Sequence, residues 1–372
     1  MQRWQSGDNS SADRPRRSSI CNKQLRRMDM KRVKRDGGLK RREFLKMSLA
    51  AAGAATLGAG VSAPAIGQQT RTIRFGHMLP TDQIHHKAIA MFGDELAKLS
   101  SNKMKVEIFP SSQLGSIAEM LQSVQAGSLT MSMAVPAWYS SFMKPLDAFT
   151  LPYIVGSEER LRPALDGVLG KEISKYGDAA GFKVLSYLLL GGRHIVNKLR
   201  AVQKPADCQG LKLRVINSPV YLQTFRALGA SPVAMDPSEL YLAVQQGVVD
   251  GFEFPLPDLV AQKLYEVAKY VSLDRHTTDF FIISTNKKLW DGMSAEEQGM
   301  IAAAWKTASD WQWREQPAAI ANALARLKTL VAVNEITPEN KKLFIEVTRP
   351  VYKQFEASIG KDFLDLAIRE LA

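Results

Sequence analysis

The sequence predicts an α/β protein of two domains with largely parallel sheets. Three observations carry that expectation. From residue 70 to the end, short apolar runs alternate with helix-length amphipathic segments, the βα pattern that yields parallel strands. With an export signal ending at Gly67 set aside, residues 68–372 exceed the ~250–300 residues at which one core usually divides. The pair Gly191-Gly192 interrupts an apolar run, which suits a crossing between domains, and a second crossing fits near Thr278.

In chain order, residues 1–29 are polar, basic and without apolar periodicity, the composition of a disordered segment. Met30-Lys31-Arg32 offers a start alternative to Met1. Residues 40–46 then read K-R-R-E-F-L-K, followed by an uncharged stretch to Gln69 rich in Ala, Gly and Ser. This resembles a twin-arginine export signal, with Arg41-Arg42, Phe44 and Leu45 in place and a departure at Lys40. Residues 63–65 and 65–67 are small-x-small cleavage candidates, and cutting after Gly67 is expected. A membrane anchor fits less well, because the span carries Pro64 and barely reaches the ~20 apolar residues a spanning helix needs.

The formal net charge is +12, but 15 Lys and Arg against 5 Asp and Glu fall within residues 1–67. The remainder carries 34 against 32, which excludes a nucleic-acid-binding body.

Strands are expected where short apolar runs end at Gly, Pro or Asn: 72–79, 105–109, 130–135, 183–190, 194–197, 211–216, 248–252 and 280–285. Helices fit the 3.6-residue period over 84–99, 117–126 (with Gly127 as its C-cap), 158–176, 220–228, 237–246 and 257–269. Helix formers then run from 295 to about 330, interrupted by Pro317. Trp305, Trp311 and Trp313 there imply a long helix packed along one side, with a kink at the proline. Segments 337–355 and 361–371 close the chain as helices. Cys208 stands alone in the body, so it has no internal disulfide partner and reads as an inert buried thiol.

No catalytic or metal-binding constellation is present. The five histidines are His77, His85, His86, His194 and His276. The adjacent pair His85-His86 points about 100° apart on a helix, and no H-E-x-x-H, C-x-x-C, G-x-S-x-G or Walker loop occurs. No cofactor motif is found. Each lone histidine reads as structural.

A binding site is better represented. In G-L-K-L-R-V-I-N-S-P, residues 210–219, apolar and basic positions alternate as on a strand with one apolar face. Ser218 is placed to cap a helix beginning at Pro219. Arg214 therefore sits near the C-terminal end of a strand, where open α/β sheets hold ligand groups. A guanidinium there suits a bidentate carboxylate, and equally a structural ion pair. Arg193 follows the glycine pair directly, Trp138 and Tyr139 follow Pro136, and Phe252-Glu253-Phe254-Pro255 ends another strand. Two arginines at strand ends with aromatics nearby describe a site for a small organic anion. For Phe252, core packing is an equal reading.

Those residues also carry a resemblance over nearly the whole body of the chain. Its pieces, in order, are I-R-F-G-H at 73–77, F-P-S-S-Q-L-G at 109–115, L-P-Y at 151–153, G-G-R-H at 191–194 and G-L-K-L-R-V at 210–215. L-G-A-S-P at 228–232, E-L-Y-L-A-V-Q-Q-G-V-V-D-G at 239–251 and K-L-Y-E-V-A-K-Y at 263–270 complete the series. The chain resembles the substrate-binding proteins of tripartite ATP-independent periplasmic (TRAP) transporters, the DctP-like family.

The resemblance implies a two-lobed periplasmic-binding-protein (Venus flytrap) fold with hinged strands and a long helix spanning both lobes. Lobe I would comprise 68–191 and 279–317, and lobe II 192–278 and 318–372. A non-enzymatic function without cofactor is implied: capture of a small organic acid in the interlobe cleft and delivery to TRAP permease subunits in the membrane. The chain would act in the periplasm as a monomer or dimer. Arg214 would clamp the carboxylate with help from Arg193, and Trp138, Glu253 and Phe254 would complete the site. Family sequences commonly read D-G-Q-E-N-P where this chain has D-G-F-E-F-P, so Phe254 replaces a ligand-contacting Asn. That change favours a keto, hydroxy, short-chain or aromatic acid over a sugar acid. A periplasmic enzyme exported folded, or a solute receptor for a sensor, are the alternatives.

Overall fold

The computed structural model describes residues 70–372. The export signal, its cleavage position and the basic N-terminal segment lie outside the described residues.

Among the described residues, nine strands form one sheet. They are β1 (Arg71–Gly76), β2 (Met104–Phe109), β3 (Met131–Ala134), β4 (Phe182–Asn197), β5 (Lys212–Val215), β6 (Ser231–Ala234), β7 (Gly251–Pro255), β8 (Tyr270–Asn286) and β9 (Ala332–Glu335). Their order is β2-β1-β3-β8-β4-β7-β5-β6, with β9 beside β8. The short strands run parallel within each half: β1 with β2 and β3, and β5 with β6 and β7. The expectation of largely parallel sheets needs correction at the centre, where β4 and β8 are antiparallel to each other and to β7 and β3 respectively. These two long strands traverse the molecule in opposite directions, so each serves both halves.

Residues 182–189 of β4 pair with 280–286 of β8, next to β3, whereas 193–197 lie between β8 and β7. The two half-sheets meet where Gly191 faces Asp279 and Gly192 faces Thr278. The register shifts between Leu189 and Gly191 and again between Arg193 and Ile195. Gly191 has φ +102°, a left-handed conformation that favours glycine, and a Cβ there would lie 2.7 Å from Ile320 Cδ1. The expected strands 183–190 and 194–197 are thus one continuous strand that bends at the glycine pair.

The long helix Ala295–Leu330 starts at a capping box in which Ser294 Oγ accepts from Glu297 N–H and the Glu297 carboxylate accepts from Ser294 N–H. It runs through Pro317 as one helix. Trp305 is fully buried and stacks on Phe92 at 4.1 Å; Trp311 and Trp313 are half-buried. Gln312 makes a reciprocal pair of bonds with the backbone of Leu189, and Gln316 Nε2 donates to Leu190 O. These polar side chains pin the helix to β4 immediately before the glycine pair. Farther on, Ala323 and Leu327 enter a second apolar cluster with Phe252, Leu259 and Val271. One helix therefore packs on both lobes.

Several boundaries move for local reasons. The segment 158–176 splits at Gly167, where a Cβ would lie 2.8 Å from Pro163 O. Segment 337–355 breaks before Pro350, whose ring cannot follow a hydrogen-bonded turn. The expected helix 257–269 ends at Ala261, and the expected strand 248–252 is Gly251–Pro255. The last helix, Lys361–Leu371, sets Phe363 against Phe149 and Tyr176. It packs with residues of 68–191 rather than with the lobe expected to contain 318–372.

Candidate functional site

Arg193 and Arg214 meet across β4, β7 and β5, and both are buried, as is Glu253 of β7. Arg193 Nε donates to Glu253 Oε2, its Nη2 to Glu253 O at 3.2 Å, and its Nη1 to Asp279 Oδ2 at 3.4 Å. Its guanidinium also lies over the rings of Tyr221 and Phe254, at 5.8 and 5.7 Å. Burial opposes this charge, but Glu253, Tyr221 and Asp279 together raise its pKa.

Arg214 is held differently. Its Nε and Nη2 both donate to Met235 O, at 2.9 and 2.6 Å. Its Nη1 lies 3.6 Å from Glu253 Oε1 and, among the described residues, has no hydrogen-bond partner. Burial, with Arg193 nearby, lowers the guanidinium to about 10 despite the attraction of Glu253. Of the two arginines, Arg214 is the one with a buried donor to spare.

Glu253 is tied to cations. Burial alone would raise its pKa, but Arg193, His276 and Arg214 hold it down at about 2. His276 Nδ1 donates to Asp274 Oδ2 at 2.8 Å, and its Nε2 lies 3.7 Å from Glu253 Oε2. Against the cost of burial, Asp274 and Glu253 push His276 up to about 9. Asp279, by contrast, is lifted by burial to about 6.

Of these groups, Arg193 and Arg214 border a cavity of about 20 Å³, room for about one water molecule. Met78, Val135, Trp138 and Leu190 line it from the half that holds β1 and β3, Arg214, Ile216, Pro237, Phe254 and Asp258 from the half that holds β5 and β7, and Arg193 from where the half-sheets meet. Trp138 reaches it from the short helix Pro136–Tyr139 that follows β3. Glu253 does not line the cavity; it sits behind the arginines. Phe252, one residue back on β7, faces the second apolar cluster. At the edge of the cavity, Gln83 Nε2 donates to Asp258 Oδ1 at 2.9 Å and to Pro257 O at 3.3 Å, joining the lobes. Gln83 and Pro257 also border a surface cleft of about 440 Å³.

The structure thus brings together Arg193, Arg214, Phe254, Trp138 and Glu253. Ser218 is the N-cap residue of the helix Pro219–Ala227, but its hydroxyl makes no cap bond and has no partner among the described residues. Sequence reasoning missed Gln83, Tyr221, Asp258, Asp274 and Asp279. One signal was available: D-R-H-T-T-D at 274–279 is polar yet sits next to an apolar strand, and in β8 five of those six residues are buried. The remaining histidines serve the scaffold. His85 Nε2 bonds to Leu189 O, His77 Nδ1 accepts from Leu79 N–H, and burial pushes their pKa values down to about 4 and 3.

The model of the bacterial extracellular solute-binding proteins, family 7 (DctP), matches residues 75–358. The C4-dicarboxylate-binding periplasmic protein DctP of Rhodobacter capsulatus is 30% identical over 313 residues, covering 83% of this chain and 93% of that protein. The sugar acid binding protein DctPAm of Advenella mimigardefordensis, solved with galactonate, superposes with a TM-score of 0.79 at 32% identity, over 82% of this chain and 98% of that one. A TRAP periplasmic solute-binding protein of Ralstonia eutropha, solved with (S)-2-acetolactate, gives 0.77 at 26% identity, over 81% and 98%.

Proposed function

Because the chain belongs to family 7 of the bacterial extracellular solute-binding proteins, we propose that it captures a small organic acid between its lobes and delivers it to a TRAP permease in the membrane. The observation that carries this reading is Arg214: fully buried, lining the interlobe cavity, with Nη1 unpartnered. A buried cationic donor without a partner costs free energy that a bound carboxylate recovers. Arg193 completes the positive end. Its commitment to Glu253 fixes its orientation and leaves Arg214 as the principal clamp. Glu253 thus positions the arginines rather than touching the ligand.

Phe254 and Trp138 form apolar walls beside the clamp, and Phe254 offers no amide to hydroxyl-rich ligands. The ligand class that fits is a keto, hydroxy, short-chain or aromatic acid. The division into lobes falls at Gly191–Gly192 and Thr277–Asp279, with export by the twin-arginine route, cleavage after Gly67 and action in the periplasm. No described helix is long and apolar enough to cross a membrane.

A thermal-shift screen over carboxylic acids, on wild type and Arg214→Ala, tests the reading. A true ligand at about 100 times its Kd adds ~2.7 kcal/mol to wild-type stability. Arg214→Ala is expected to weaken it by 2–5 kcal/mol, roughly 30-fold or more. Equal stabilisation of both proteins would remove Arg214 from the role. If a polyhydroxylated sugar acid bound most tightly, the inference from Phe254 would be wrong.

A further inference from the structure

Asp258 is a buried carboxylate on the same cavity as the two guanidiniums, and nothing in the clamp explains it. It sits in the first turn of the short helix Leu256–Ala261 that follows β7, three residues after Phe254 and Pro255 have turned the chain. Its Oδ1 accepts from Gln83 Nε2 across the cleft. Among the described residues no lysine or arginine lies within ion-pair distance of it, and a carboxylate has acceptor capacity for several donors. Arg214 and Asp258 line the same cavity, so once the lobes part enough to admit a compact acid, one held by Arg214 has its first carbons beside Asp258.

We propose that Asp258 is a specificity-determining residue that accepts a hydrogen bond from a hydroxyl next to the ligand's carboxylate, so that the site selects 2-hydroxy acids over the matching 2-keto acids. The inference rests on the reading of Arg214 as carboxylate clamp and narrows its ligand class. A hydroxyl donates to Asp258, whereas a keto oxygen only accepts and would face a carboxylate with nothing to share. Sites that hydrogen-bond a substrate hydroxyl reject analogues lacking it strongly, because the buried partner is then left unpaired. Burial pushes the Asp258 carboxyl up to about 7, so the comparison belongs at pH 8, where it is ionised.

The test is calorimetric titration of the full chain at pH 8 with matched pairs, lactate against pyruvate and 2-hydroxy- against 2-oxo-4-methylpentanoate. Wild type is expected to prefer the hydroxy member of a pair by roughly tenfold or more. Asp258→Asn keeps an acceptor for Gln83 and presents N–H donors instead, so the preference should vanish or reverse. Arg214→Ala should weaken both members alike. If Arg214→Ala abolishes binding but Asp258→Asn leaves the ratio unchanged, the clamp stands and this inference falls. A wild type that prefers keto acids, or binds no 2-hydroxy acid, also overturns it, whether or not Asp258→Asn folds.

Discussion

A charge in the interior persists only where a counter-charge or hydrogen bond replaces the water it has lost. At the lobe crossing, Arg193, Glu253, His276 and Asp274 satisfy one another in that way. His276 makes the arrangement measurable. Its folded pKa, about 9, lies above its ordinary 6.5, so its stabilisation is complete below pH 6.5 and is lost as pH rises through 9. Glu253, held at about 2, contributes fully above pH 4.5 and leaves this window untouched. Asp258 and Asp279 have raised pKa values, so they too lose stability with rising pH, mostly below 7. Thermal unfolding followed from pH 6.5 to 9 should therefore show a decline on the order of 3 kcal/mol. His276→Gln should flatten that slope; an unchanged slope would mean that His276 is neutral in the folded chain. Arg214 and Arg193 were legible in the sequence because each sits at a strand end in an alternating or glycine-broken context. Asp258 and His276 were not, since their importance comes from burial and from partners about 175 and 23 residues away.

At the scale of elements, β4 and β8 show what local patterning misses. Reading β8 from apolar residues alone yields 280–285, because its first half buries Asp274, His276, Thr277 and Thr278 in place of aliphatic side chains. Likewise Gly191-Gly192 marks a real discontinuity, but the backbone passes through it in strand pairing with β8. Gly167 and Pro350 split helices whose apolar period runs on, and the helix expected over 257–269 stops early because Lys263 turns to φ +54°. Gly191 allows a direct test of the crossing. Gly191→Ala must adopt φ +102° and also displace Ile320, whereas Gly210→Ala meets φ +75° with no atom within 4 Å of its Cβ. The left-handed penalty of roughly 1–2 kcal/mol applies to both. Gly191→Ala should cost more by denaturant unfolding, and Ile320→Ala in that background should recover part of the excess. Equal losses at the two glycines would show that the long helix does not press on the crossing.

For the whole molecule, the central quantity is the free energy of closing the lobes. A cavity of about 20 Å³ is far too small for an organic acid, so on the proposed binding between the lobes, entry requires them to separate and capture requires them to close again. Rotation about the crossing at Gly191–Gly192 and Thr277–Asp279 would open the cleft while leaving each half-sheet intact. The Gln83 bonds to Asp258 and Pro257 O join the two lobes directly, one of them to a carboxylate. Such a bond to a charged group contributes about 1.5–3 kcal/mol net, enough to change a two-state closing equilibrium by roughly 10- to 150-fold. If it exists only when the lobes are closed, Gln83→Ala shifts the ligand-free chain towards the open form and lets bound ligand leave faster. Small-angle scattering should then give a larger radius of gyration for ligand-free Gln83→Ala than for wild type, and saturating ligand should bring the two together. Stopped-flow release should be faster by a comparable factor. Identical scattering and identical release would show that Gln83 does not hold the lobes, and that closure rests on the ligand and the arginine pair alone.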